Sequence, residues 1–182
     1  MQADEESALV RRVAQGDRDA FRTLVQCHQG PLGAYAQRML DDRGRAEDVV
    51  QETLLRLWSQ ARRFRSERAR LTTWLHNIAH NLCIDELRRE SRQRPEAVRD
   101  DAPADIASPG DVRDGERREV LLRQAISALP ERQRSALVLC HYQGLSNRQA
   151  AEILGVRVEA LESLLARARR TLKKEFKDHH AS

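Results

Sequence analysis

The chain has 182 residues, a formal net charge of +4 and 33% charged side chains, enough for one ordinary domain or two small ones. Aromatic residues make up only 4%, so a core must come from Leu, Val, Ile and Ala, and no apolar run approaches the roughly 20 residues needed to span a bilayer. The acidic start at Asp4, Glu5 and Glu6 lacks the basic and apolar stretches of a signal peptide. Cys27, Cys83 and Cys140 are widely spaced and odd in number, which is no disulfide framework. A cytosolic protein with free thiols, partly or wholly buried, is the expectation.

Helical periodicity begins early. Ser7 to Gln15 and Asp19 to Cys27 read as short helices parted by a turn at Gly16, and Pro31 to Leu40 as another. Ala46 to Gln60 is the clearest, with Val49, Val50, Leu54, Leu57 and Trp58 on one face and Glu47 and Asp48 favouring its positive N-terminal end. Arg70 to Arg89 follows, with Leu71, Trp74, Leu75, Ile78, Leu82 and Leu87 as its apolar stripe. Both tryptophans are expected in the core. Strand signals are absent.

Residues 95–118 interrupt this pattern. Pro95, Pro103 and Pro109 stand among Asp100, Asp101, Asp105 and Asp111 with few large apolar side chains, so the stretch cannot repay its ordering entropy and reads as a flexible acidic linker. It divides residues 1–94 from residues 119–178, two mildly basic lobes. The second lobe starts with a helix from about Glu119 to Ala128. Pro130 then opens another, where its missing N–H is no loss, running through Arg132 to Tyr142 until Gly144.

The most informative stretch is Leu145 to Leu172. Ser146 is a good N-cap for a helix from Asn147 to Leu154, and Gly155 supplies the left-handed turn that ends it. Val158 to Lys174 forms a second helix whose Val158, Leu161, Leu165, Ala168 and Leu172 alternate three and four apart, while Ala150 and Ala151 let the pair cross closely. This is the helix-turn-helix pattern, with the second helix in the major groove. Its outer face carries Glu159, Glu162, Ser163, Ala166 and Arg167. The basic residues Arg169, Arg170, Lys173, Lys174 and Lys177 follow, which would gain affinity by releasing phosphate counterions.

Three segments resemble known ones. Asp48-Val49-Val50-Gln51-Glu52-Thr53, continuing to Trp58, resembles the polymerase-binding helix of region two in sigma factors. Thr73-Trp74-Leu75-His76-Asn77-Ile78-Ala79-His80-Asn81-Leu82, with Asp85, Arg88 and Arg89 beyond, is similar to the promoter-melting and minus-ten-reading segment. Leu129-Pro130-Glu131-Arg132-Gln133-Arg134, then Gly144-Leu145-Ser146 and the helix-turn-helix, is similar to region four. The matches lie in the family's order with the third domain missing, and the sequence resembles the extracytoplasmic-function group of sigma factors.

The resemblance implies an all-α fold of two small helical domains, no catalysis and no cofactor. Asp48, Gln51 and Glu52 would grip the β′ coiled coil of core RNA polymerase, an acid-rich face meeting a basic one. Asn81 would stand where a loop asparagine captures a flipped minus-ten base, its amide offering both donor and acceptor. Arg88, Arg89, Arg92 and Arg94 would hold phosphates. Arg157, Glu162, Ser163, Arg167 and Arg170 would meet the minus-thirty-five duplex. Arg157 replaces a residue that usually caps the reading helix, and Glu162 replaces a common base, repelling phosphate while able to accept from cytosine N4. The β flap of the polymerase, promoter DNA and an anti-sigma protein are the further implied partners, with no small-molecule substrate. The chain would then be cytoplasmic, or held at the inner membrane through its anti-sigma partner.

Two other readings compete. His76, His80 and Cys83 share one helical face and allow a three-ligand metal site, although Asn77 stands where a metalloprotease helix has its glutamate; His179 and His180 form a second pair. Alternatively, an ordinary helix-turn-helix regulator would dimerise on a palindrome, with the first lobe as sensor. No nucleophile, base and orienter constellation appears.

Overall fold

In the computed structural model of the chain, residues 3–67, 69–93 and 114–180 are described; they form helices and turns, with no strand. Most of the sequence-predicted linker, and Arg94 with it, lies outside them. α1 (Ala3–Ala14) ends at Gly16, whose φ of +89° is the left-handed turn read from the sequence. Asp17 then caps α2 (Arg18–Leu40), its carboxylate accepting from the N–H groups of Asp19 and Ala20.

α2 is a single helix of 23 residues where the sequence predicts two, because Pro31 sits inside it. Proline removes the N–H that would bond Cys27 and costs about 3 kcal/mol in a helix interior. Here Pro31, Gly30 and Cys27 all face solvent, so water reaches the orphaned carbonyl. The opposite face, Leu24, Leu32, Tyr35 and Met39, is fully buried, and each such side chain contributes about 2 kcal/mol, which outweighs the break.

α3 (Arg43–Gln60) starts earlier than periodicity suggests because Asp42 caps it, accepting from the N–H of Arg45 at 2.9 Å. A 3-10 turn (Ala61–Arg63) and the segment 64–70 lead to α4 (Leu71–Gln93). α2, α3 and α4 pack against one another with α1 across them. Trp74 is half-buried against Phe64 with ring centroids 5.5 Å apart. Trp58, expected in the core, is instead 37% exposed, edge-on to Phe21 at the rim of the bundle.

In the second lobe α5 (Asp114–Ser127) begins within the stretch read as linker, and α6 (Glu131–Leu137) follows Pro130, its N-cap. The helix predicted to run to Gly144 changes pitch: Val138–Tyr142 is a π turn. α7 (Asn147–Leu154) and α8 (Val158–His180) form the helix-turn-helix as read, with Ser146 and Gln149 making a reciprocal capping box and Gly155 at φ +61°. Leu161, Leu165 and Ala168 of α8 are buried, as are Ala150 and Ala151 of α7.

The lobes pack on each other, α5 and the π turn against α2, and α7 against α4. This contact explains why the buried face of α4 differs from its sequence stripe. Trp74, Ile78 and Leu82 are only half-buried, whereas Thr73 and His76 are buried where Gln149 and Gln143 of the second lobe meet them, and His80 is buried against Tyr35 of α2. Among the thiols, Cys83 is buried and pushed up to about 12 by desolvation, Cys140 is half-buried, and Cys27 is exposed, against expectation; all three are free.

Candidate functional site

Three surfaces present the predicted contact residues. On α3 the inward residues Ala46, Val49, Thr53 and Leu57 leave Asp48 and Gln51 exposed and Glu52 half-buried on the outer side. The acidic face is partly compensated within its own helix: Arg43 pairs with Glu47 at 2.9 Å and Arg56 with Glu52 at 2.8 Å. Asp48 has no ion-pair partner among the described residues. One and two turns on, Leu55 (54% exposed) and Trp58 continue the same face. Leu55 escaped the sequence reading because it falls off the buried stripe; an apolar side chain off the stripe yet beside the acids was the available signal.

On α4, Asn81 sits in mid-helix, within the stretch from Arg70 to Arg89 read as helical, since no glycine or proline breaks the hydrogen-bond ladder there. It is exposed, and its amide nitrogen donates to Asn77 Oδ1 at 3.0 Å, which leaves its own Oδ1 outward. Arg88 and Arg89 are exposed on the last turns, Arg89 beside Glu86 at 3.2 Å. Arg92 is exposed beyond them.

On α8, Arg157, Glu162, Ser163, Arg167 and Arg170 are all exposed, opposite the buried Leu161, Leu165 and Ala168. The Ser163 hydroxyl donates back to the Glu159 carbonyl at 3.0 Å. Glu162 lies 3.5 Å from the amide nitrogen of Asn147 at the start of α7, a long hydrogen bond that orients the acid toward the first helix of the motif. Arg157 starts α8 with its backbone alone, its carbonyl accepting from Leu161 at 3.0 Å. Arg170, Lys173 and Lys174 extend an exposed basic face.

The histidine pair of α4 is engaged elsewhere. The Tyr35 hydroxyl and His80 Nδ1 share a hydrogen bond of 2.9 Å, and burial depresses the His80 pKa to about 4, holding the imidazole neutral. His76 donates from Nδ1 to the Thr72 carbonyl at 2.8 Å and lies 3.2 Å from the side-chain amide of Gln143. No cluster of metal-ligating side chains is present among the described residues. The side chains of His179 and His180 lie outside them. No helix among the described residues is long and apolar enough to cross a membrane.

Comparison with known proteins accounts for this arrangement. Residues 24–93 match the family model for sigma-70 region 2, and residues 119–172 that for sigma-70 region 4. The chain is 31% identical to the ECF RNA polymerase sigma factor SigE of Mycolicibacterium smegmatis, across 97% of this chain and 70% of that one. It is also 31% identical to the RNA polymerase sigma-H factor of Pseudomonas aeruginosa, across 94% and 93%. Among solved structures it is similar to CnrH in complex with the cytosolic domain of CnrY (TM-score 0.73, 25% identity, 96% and 98% covered). It is likewise similar to the sigma factor RpoE of Bartonella quintana in complex with the anti-sigma factor NepR (TM-score 0.66, 26% identity, 86% and 96% covered). With both regions present and in order, the chain belongs to the extracytoplasmic-function (ECF) sigma factors of the sigma-70 family.

Proposed function

We propose that residues 1–94 bind core RNA polymerase and read the minus-ten element, that residues 119–178 read the minus-thirty-five duplex, and that residues 95–118 tether the two. The observation that carries the reading is the orientation of the helices. On α3, α4 and α8 every candidate contact residue faces outward or sits half-exposed, while the buried apolar residues of the same helices, Val49, Leu57, Leu75, Leu161 and Leu165 among them, face in. Asp48, Gln51 and Glu52 meet the β′ coiled coil, with Leu55 and Trp58 adding a desolvated edge to a charged interface. Asn81 offers a free carbonyl oxygen to a base edge, and Arg88 and Arg89 bind phosphate. Arg167 and Arg170 hold the duplex and Ser163 and Glu162 face base edges, the acid selecting for a cytosine N4 donor. Arg157 adds a cation at the entrance of the reading helix. The second lobe also meets the β flap.

The inhibitory partner is an anti-sigma protein, by likeness to the RpoE–NepR complex, and it acts by covering the α3 face. A protein that only redirects polymerase needs no catalytic group of its own.

The test is charge reversal on α3. Asp48→Lys with Glu52→Lys weakens core-enzyme binding at least about thirtyfold, equivalent to about 2 kcal/mol, with helical circular dichroism unchanged. Normal core binding by that variant contradicts the assignment. In vitro transcription from a pool of random promoters with core enzyme then reports which sequences the wild-type chain selects.

A further inference from the structure

The basic end of α4 outruns the bundle. The last buried side chain of the helix is Ile84, and from Asp85 to Gln93 every residue is exposed or half-buried. That overhang is about 13 Å long. It carries Arg88, Arg89 and Arg92, and Leu87 is its one apolar side chain, packed on the core. Asp85, Glu86 and Glu90 stand among these cations and by themselves would repel a phosphate chain. Glu86 is taken up within the helix by Arg89 at 3.2 Å, whereas Glu90 is taken up from another helix.

Arg45, in the first turn of α3, donates from Nη1 to Glu90 Oε2 at 2.7 Å, across 45 positions of sequence. Its Nε lies 3.3 Å from Asp42 Oδ2, and its backbone N–H is the one that Asp42 caps. A guanidinium presents its donors in one rigid plane, so a side chain held at both ends sets an angle as well as a distance. With side chains 28% and 37% exposed, Arg45 and Glu90 add little to stability. What the pair fixes is the direction of the overhang, within two residues of Arg88, Arg89 and Arg92. Arg45 also precedes Asp48 by three residues and Glu52 by seven, which puts it at the edge of the polymerase face.

We propose that Arg45 is a positioning residue: by holding Glu90 it aims the basic end of α4 at the melted strand, and it joins that aim to the helix on which polymerase docks. The proposal rests on the reading of α3 and α4 given above. Neither side chain of the pair touches DNA; Arg88, Arg89 and Arg92 hold the phosphates. A chain without the pin keeps its cations and loses their register. The consequence has a sign opposite to simple electrostatics. Removing the Glu90 charge makes the face more basic, which by itself tightens binding to a phosphate chain. Loss of the pin weakens capture of the strand instead.

The test uses holoenzyme assembled from core RNA polymerase and the full chain. The probe is a promoter recovered from the random pool, with its minus-ten non-template strand left unpaired. Glu90→Gln and Arg45→Ala each weaken binding of this probe about fivefold, and the double variant is no weaker than either alone, as expected for one shared contact. Affinity for core enzyme is unchanged and the urea midpoint moves little, which separates aiming from docking and from folding. Three results overturn the pin: a Glu90→Gln holoenzyme that binds the probe as tightly as wild type or more tightly, single losses that multiply in the double variant, or a loss of probe binding matched by an equal loss of core affinity. A wild-type holoenzyme indifferent to the unpaired strand sinks the reading of α4 and the pin with it. A strand-dependent wild type with an unaffected Glu90→Gln sinks the pin alone.

Discussion

The first lobe is built around three long helices, whereas the second sets two very short helices between longer ones, and the two are stabilised differently. α2, α3 and α4 run 23, 18 and 23 residues, long enough for an uninterrupted apolar face to dominate even over a proline in mid-helix. α6 and α7 have 7 and 8 residues, too short to be stable alone, so termini decide their fate. The second lobe accordingly relies on a capping box, a left-handed glycine and Pro130 at a helix start. In addition, the half-buried Arg134 holds the Ser127 carbonyl at the end of α5 and the Leu129 carbonyl just after it. Helix ends matter in both lobes, but only the two short helices of the second depend on them.

The largest effect that would sharpen this contrast comes from matched cavities. Leu75→Ala in the first lobe and Leu161→Ala in the second each truncate a fully buried side chain, and each costs about 3 kcal/mol in urea denaturation. If the contact between the lobes couples them, both variants unfold in a single transition; a split transition in Leu161→Ala alone would show that the short-helix lobe melts by itself.

Acid attacks the first lobe and its contact with the second together. The folded-state pKa of His80 is depressed from 6.5 to about 4, so the unfolded chain binds the proton more readily than the folded one. Stability is therefore full above pH 6.5, falls as the pH drops from 6.5 toward 4, and stops falling on this account below that. The total is about 3 kcal/mol for His80. His28 and His76 are lowered as well, by burial first, and act in the same direction. Denaturation midpoints measured between pH 7 and pH 4 check the slope, and His80→Gln flattens it.

The smallest effect breaks one helix cap alone. Ser146→Ala removes one arm of the capping box and costs about 1 kcal/mol. Amide exchange should accelerate in α7 and leave α2 untouched. Equal acceleration in both lobes would dissolve the distinction drawn above.

What the sequence made legible follows the same divide. Gly16, Ser146, Gly155 and Pro130 carry their conformational instructions in their own chemistry, so the turn, the cap and the helix-turn-helix were readable directly. The apolar stripe of α8 was readable because that helix buries one face only. α4 was misread because two lobes cover it from two sides, and Thr73 and His76 look like surface residues until the second lobe is placed over them. Pro31 was read as a helix start because a local rule cannot see that its broken hydrogen bond faces water. Trp58 followed the apolar face of α3 but lies where that face runs off the end of the bundle. At the candidate site, residue identities were accessible from the family pattern. The Arg56–Glu52 and Asn81–Asn77 pairings and the exposure of Leu55 required coordinates, since they depend on helix phase and rotamer.

The placement of Trp58 also makes the molecule its own optical probe. The chain has two tryptophans, and both belong to the first lobe. Trp74 is shielded against Phe64, whereas the indole of Trp58 is partly wetted at the edge of the α3 face. Dehydration of that ring by a bound protein shifts its fluorescence to shorter wavelength while Trp74 stays constant, so occupancy of α3 can be followed in real time without a dye.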